Sequence, residues 1–377
     1  MSTETFSFDS SGLETLIQTL KSAGYLTLGP ICRDGAIVYD EISGVSDLPQ
    51  GWGDEQAPGV YRLKERKDQA LFGYAVGPQS WKKYLHPPRL RLWRARQLEN
   101  KLQIEKEETA VPRYALIGAR ACEIAAIQIQ DTVLAEGPYA DNTYLARRKA
   151  LLIVAVQCTA PAATCFCTSQ NTGPGVTSGA DLILTEVLQE GSPHYLAQAG
   201  SPQGAEILEK LAFEKACSED LKAAEQALVQ AEQRISRQLQ GEIARQTLQN
   251  ASHDPHWQTL GERCLSCSNC TMVCPTCFCT SLEDLTTLGG EAERWRQWDS
   301  CFNLSFSYMG GGHIRQSPAS RYRQWLTHKL VHWQDQFDSS GCVGCGRCIS
   351  WCPVGIDLTE EVKQFAPPKS ENMPERA

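Results

Sequence analysis

Two stretches of this chain carry the same cysteine pattern. Cys264-Leu-Ser-Cys267-Ser-Asn-Cys270-Thr-Met-Val-Cys274-Pro275 and Cys342-Val-Gly-Cys345-Gly-Arg-Cys348-Ile-Ser-Trp-Cys352-Pro353 share every gap and the closing proline, although the sequence around them does not repeat. The chain has 17 cysteines, an odd number, and Met1 to Ser10 is polar, without the basic start and apolar run of a secretory signal. A cytoplasmic location is therefore expected. A reducing compartment disfavours structural disulfides, so cysteines in this number point to metal or redox chemistry.

The spacing says which chemistry. Three thiols with two residues between neighbours can curl around three irons of a 4Fe-4S cube. The fourth, after a three-residue gap and before proline, leaves in another direction, and in two-cluster ferredoxins it ligates the other cube. Cys264, Cys267, Cys270 and Cys352 are thus expected to hold one 4Fe-4S cluster, and Cys342, Cys345, Cys348 and Cys274 the second. Crossed ligation would pin the two segments together. Ser266, Ser268, Asn269, Gly344 and Gly346 are small or polar and let backbone N–H groups approach the cluster sulfurs, tuning the potential, with Arg263 and Arg347 assisting. Zinc favours four-cysteine sites built from separated pairs, a poor match to a triplet plus Cys-Pro. Disulfide-linked knuckles suit an oxidising compartment instead.

At 377 residues the chain has room for two or three domains, and 42% hydrophobic against 21% charged residues describes a globular protein. A formal charge of −8 argues against nucleic acid as a partner. No stretch approaches the roughly 20 apolar residues of a membrane span.

The expected fold class is α+β: a mixed α/β N-terminal domain followed by a mostly helical ferredoxin-like dicluster domain. Helical spacing covers Leu13 to Ser22, and apolar runs at Ala70 to Val76, Tyr114 to Ile117 and Leu151 to Val156 read as strands. Arg120 to Leu134 follows the second of these with helical spacing. Gly204 to Asn250 is rich in Ala, Leu, Glu, Gln and Arg and reads as a long helix or helical hairpin between domains, or as one more core helix. The expected division is 1–250, 251–364 and a flexible tail, 365–377.

Nine cysteines lie outside the repeated motif. Cys32 and Cys217 have no neighbours and read as small buried hydrophobes. Cys122, Cys158, Cys165 and Cys167 would meet, and could take a third 4Fe-4S cluster, if the strand ending at Ile117 neighbours the one ending at Val156; otherwise they are inert thiols in a packed loop. Cys277, Cys279 and Cys301 complete another site or shield the cubes, and spacing does not choose. Thr164-Cys-Phe-Cys-Thr-Ser169 is echoed by Thr276-Cys-Phe-Cys-Thr-Ser281. The glycines at 310–312 and the Thr172-Gly-Pro-Gly175 turn lack the lysine and context of phosphate loops. No nucleophile arrangement is visible, so no catalytic residue is expected.

Together, Arg120-Ala-Cys122-Glu123, Arg147-Arg148, Cys158 with Cys165-Phe-Cys167, Cys274-Pro-Thr-Cys277-Phe-Cys279, Trp298-Asp-Ser-Cys301, Gly311-Gly312-His313-Ile-Arg315, His328-Lys329 and the second cysteine motif resemble the iron-sulfur β subunit of cytoplasmic NAD(P)-linked NiFe hydrogenases (sulfhydrogenases), to which an electron-transfer subunit of anaerobic sulfite reductase is similar. The resemblance spans about residues 113–357. It implies an electron-transfer subunit working between a flavin- and NAD(P)-binding subunit and a NiFe hydrogenase catalytic subunit. It also favours the third cluster. The sulfite reductase subunit is the alternative within the same chemistry, and a zinc-bound structural module the alternative outside it. Glu123 stands where the family commonly has Asp, which weakens a ligand role for this carboxylate.

Overall fold

The computed structural model describes residues 4–98, 101–106, 111–189 and 191–365; the expected tail, apart from Phe365, lies outside them. The fold is α+β. Four strands, Leu26–Arg33, Tyr114–Ala119, Leu152–Val156 and Leu182–Gln189, lie side by side and mutually parallel at the centre of an eight-stranded sheet. Ala36–Glu41 closes one edge antiparallel, and Ser192–Ala199, Thr5–Asp9 and Glu214–Lys215 extend the other.

The central strands are mostly apolar because both faces are covered. Leu152, Val154 and Val156 pack with Leu13, Leu16 and Ile17 of the helix Ser10–Ser22. Ile153 and Ala155 point the other way, against Ile124 and Ile127 of the helix Ala121–Leu134. Alternation along one strand thus feeds two cores. Asp9 starts the first helix, its carboxylate accepting from the N–H groups of Ser11 and Gly12 at 2.9 and 3.1 Å.

Ala70 to Val76 is not a strand. It is a buried irregular run whose backbone groups are satisfied by side chains. Glu186 accepts from the N–H groups of Leu71 and Phe72, Asp54 from that of Ala75, while Arg120 donates to the carbonyls of Phe72 and Tyr74. Apolar composition signalled burial, and sequence offered no sign of these distant partners. Gly204 to Asn250 is likewise broken, into helices Pro202–Leu211, Ser218–Arg234 and Gly241–Asn250. Cys217 caps the middle one, its sulfur accepting from Asp220 N, and Cys217 and Cys32 are both exposed rather than buried.

The cysteine-rich part has its own core, in which Trp257, Phe302, Tyr322 and Trp325 pack with Ile349 and Leu358. That core also takes in Phe166, Leu239, Ala244, Leu248 and Ala251, from around and before the expected boundary near 250. Besides short helices it carries a hairpin, Thr280–Thr286 with Glu291–Trp298, which pairs with the hairpin Arg89–Leu98 and Lys101–Lys106 to form a second, four-stranded sheet. Trp295 and Trp298 are half-buried on this sheet, whereas Trp325 and Trp333 are core. Among the described residues, no helix is long and apolar enough to cross a membrane.

Candidate metal centres

The two motifs fold alike. Ser266 and Ser268 in one, Gly344 and Gly346 in the other, all take left-handed backbone with φ between 52° and 73°. A short helix follows each, Asn269–Met272 and Arg347–Ser350. Left-handed residues alternating with right-handed ones turn successive N–H groups inward, a concavity suited to anionic sulfur. Ser266 N donates to Cys264 Sγ at 3.4 Å and Ile356 N to Cys352 Sγ at 3.3 Å. The motifs differ in what surrounds them. A Cβ at Gly344 would stand 2.7 Å from the backbone of Cys167, and one at Gly346 2.5 Å from the Thr164 carbonyl oxygen. The serines of the first motif lie nearer solvent, beside exposed Leu265 and Cys267, and keep their side chains.

Cys264, Cys267, Cys270, Cys348 and Cys352 line one cavity. Burial pushes the Cys348 thiol well up, and Cys342, Cys345 and Cys274 add to the shift as the thiols nearest in effect. Burial does the same for Cys342, to about 12, against the opposing charge of Lys329. Such raised thiols are costly to ionise in isolation and demand a cation or cationic cluster to become ligands. Cys274 is the exception. The thiol of Cys277 and then the Lys329 ammonium, whose Nζ lies 3.3 Å from Cys274 Sγ, hold it well below the ordinary thiol range.

Cys122, Cys158, Cys165 and Cys167 line a further cavity, which Cys345 also borders. Fold-level geometry makes it. The strands Tyr114–Ala119 and Leu152–Val156 are parallel neighbours, and Cys122 and Cys158 follow their carboxyl ends, where open parallel sheets form their crevices. The loop with Cys165 and Cys167 is fastened from the second motif: Phe166 N donates to Gly344 O at 2.8 Å, and Thr164 Oγ1 lies 2.9 Å from Ser350 Oγ. Burial drives the Cys122 and Cys165 thiols well above their usual range, with Cys345 and Cys158, respectively, next in effect.

Glu123 joins these regions and is no free ligand. Its Oε1 accepts from Arg347 Nη2 at 2.6 Å, and its Oε2 from Tyr39 Oη, Trp81 Nε1 and Arg120 N at 2.9, 3.1 and 3.2 Å. Both carboxylate oxygens are engaged, within a site where both partners of the ion pair have side chains at most 1% exposed. Arg347 is thus tied to Glu123 and to the carbonyls of Gly77 and Gln79, while Arg263 pairs with Glu361 at 2.7 Å.

Two buried lysines were not anticipated. Lys329 also donates to Thr276 Oγ1 and Gly341 O, and the thiols of Cys274 and Cys277 outweigh its burial and push it well up. Lys82 Nζ donates to Cys277 O at 2.9 Å and lies 3.9 Å from the centre of a Trp298 ring. Lys329 belongs to the family pattern, but its bond to a thiol left no sequence signal; Lys82 lies in the first hundred residues, outside that pattern.

Among the described residues no three His, Cys, Asp or Glu side chains are set to hold a single metal ion. The cavity of the first triplet has cysteines and no histidine or carboxylate in its lining, a donor set that suits a 4Fe-4S cluster.

Residues 263–356 match the family described as a 4Fe-4S dicluster domain. The sulfhydrogenase 2 subunit beta of Pyrococcus furiosus is 33% identical over 287 residues, which cover 74% of this chain and 83% of that protein. No solved structure matches. The chain therefore belongs to the sulfhydrogenase β-subunit family and is an iron-sulfur electron-transfer subunit.

Proposed function

We propose that the chain carries two 4Fe-4S clusters on the crossed sets Cys264, Cys267, Cys270, Cys352 and Cys342, Cys345, Cys348, Cys274, and a third on Cys122, Cys158, Cys165 and Cys167. The reading places it between a flavin- and NAD(P)-binding subunit and a NiFe hydrogenase catalytic subunit of one complex. The observation that carries it is the company Cys352 keeps: with Cys348 it lines one cavity with the triplet of the first motif, and it is the cysteine before proline, the one whose spacing sends it away from its own triplet. Bound in these cavities, such clusters supply reversible one-electron storage over the wide span of roughly −700 to +450 mV.

The chain's own residues set the conditions. Inward N–H groups at Ser266 and Ile356, and the ammonium of Lys329 on Cys274, stabilise negative charge on sulfur. Exposed Cys267 and Leu265 bring the first cavity to the surface, where a partner's redox group can approach. Cys345, bordering the third cavity while neighbouring Cys274, puts the second set in the middle.

Anaerobic purification with metal and acid-labile sulfide analysis tests the reading. These three sites should contribute about 12 irons, and Cys165→Ser/Cys167→Ser should lower the total by about four. A colourless protein with zinc and no labile sulfide would sink the proposal. Co-purification of a NiFe subunit, or of a sirohaem protein, separates a hydrogenase from a sulfite reductase setting.

A further inference from the structure

Beyond Cys274 lies a cavity with no part in the assignments above. Cys277, Cys279 and Cys301 line it, together with His328, Lys329 and Arg315. They come from four parts of the chain: the turn after Cys274-Pro275, the segment after the hairpin strand Glu291–Trp298, the loop before the helix Pro318–Thr327, and the π-helical turn His328–His332. π-turns inside helices recur at functional sites, and this one interrupts the helical run from Pro318 to Phe337 where His328 and Lys329 meet the thiols.

The cavity has an imidazole ring without hydrogen bonds and cations without carboxylates beside them. The ring of His328 makes no hydrogen bond among the described residues, and it packs against Trp333 and Phe278. Neither Lys82 nor Lys329, each buried, forms an ion pair with a carboxylate among the described residues, nor does Arg315. Asp299, close to Cys279, already accepts from Ser300 N and Asn303 Nδ2. A buried ammonium needs an anion beside it, and here the groups able to supply one are the thiols.

The site also parallels the third cavity. The two Thr-Cys-Phe-Cys-Thr-Ser segments each abut a cysteine of the dicluster pair, Cys165 Sγ lying 3.8 Å from Cys345 O and Cys277 hydrogen-bonding Cys274. Cys301 neighbours both Cys279 and Cys270.

We propose that Cys277, Cys279 and Cys301, with His328 as fourth ligand, hold a further iron-sulfur cluster, compensated by Lys82, Lys329 and Arg315. This rests on the iron-sulfur reading above. A cluster fits the donor set, three thiols and an imidazole lining one cavity, because an iron-sulfur cube takes its protein ligands at separate corners.

The test uses the full chain, reconstituted anaerobically with ferrous iron and sulfide. The expected content is about 16 irons, four per cube, and Cys279→Ser/Cys301→Ser should remove about four irons, about four sulfides and one component of the reduced-state EPR spectrum. His328→Cys should keep the iron while altering that component and shifting its midpoint potential. A double variant with wild-type iron, sulfide and spectrum overturns the proposal, and so does a His328→Cys protein with unchanged EPR and potential, which decides the matter if the double variant fails to fold. A wild-type protein with about 12 irons, indifferent to these changes, removes this site alone; one with no iron removes the functional reading as well.

Discussion

The repeated motifs and the crevice of the large sheet both gather cysteines around a cavity, but by opposite routes. In the motifs the thiols are brought close by gaps of two and three residues and by left-handed backbone at Ser266, Ser268, Gly344 and Gly346. In the crevice Cys122 and Cys158 are delivered by the ends of two parallel strands, and Cys165 and Cys167 by a loop clamped from the second motif. The first arrangement is local and the second belongs to the whole fold. The N-terminal cavity therefore depends on the dicluster part being in place, since Gly344, Ser350 and Arg347 all hold its walls or its neighbours.

Breaking the Glu123–Arg347 pair is the most severe challenge to that dependence. Glu123→Ala leaves the Arg347 guanidinium buried beside Tyr39 and Trp81 without its counter-charge, a loss of roughly 3–5 kcal/mol for pairs of this kind. Anaerobic denaturation followed by visible absorbance should show both regions failing together at lower denaturant. A stability change below about 1 kcal/mol would mean that the two regions are energetically separate.

Gly344→Ala probes the same contact from the other side. The left-handed backbone penalises any Cβ, and the Cys167 backbone leaves no room for one, so roughly 2–4 kcal/mol should be lost. Ser266→Ala, at the equivalent position of the first motif, loses a hydrogen bond from Arg321 at 3.1 Å and should cost about 1 kcal/mol or less. Equal melting temperatures for the two variants would contradict the packing asymmetry.

A milder, pH-dependent effect comes from outside both cysteine regions. His86 is 1% exposed, its ring nitrogens have no partner among the described residues, and burial, then Arg296 and Lys82, lower its pKa from 6.5 to about 4. The unfolded chain binds this proton first, so the stabilisation is intact above pH 6.5 and is lost as the pH falls towards 4. Between about pH 7 and pH 5 the change amounts to about 2 kcal/mol. His86→Gln should lack this component, and a wild-type unfolding midpoint with the same pH slope as the variant would refute the assignment.

Much of the architecture was legible in the sequence. The helices at Leu13 and Arg120 and the strands at Tyr114 and Leu151 follow from periodicity, because a strand buried on both faces has no room for polar residues. Ala70 to Val76 misled for the same reason: it is as apolar as a strand, yet its hydrogen bonds go to Glu186, Asp54 and Arg120. Gly204 to Asn250 has helical composition throughout, which hid the restarts of the helix at Ser218 and Gly241. Lys82, distant in sequence from every cysteine it serves, was invisible.

Spacing along the chain was enough to point to iron-sulfur chemistry, since three thiols two residues apart followed by Cys-Pro is the pattern of a 4Fe-4S site, and the quoted motifs were enough to point to the family. Folding in three dimensions was needed to settle which thiol sets share a cavity, that Glu123 is engaged through both oxygens with Arg347 and its neighbours, and that two lysines face Cys274 and Cys277. Those facts depend on contacts between residues far apart in the chain, where spacing carries no geometric information and only the closing of the sheet and its two cores brings the groups within reach.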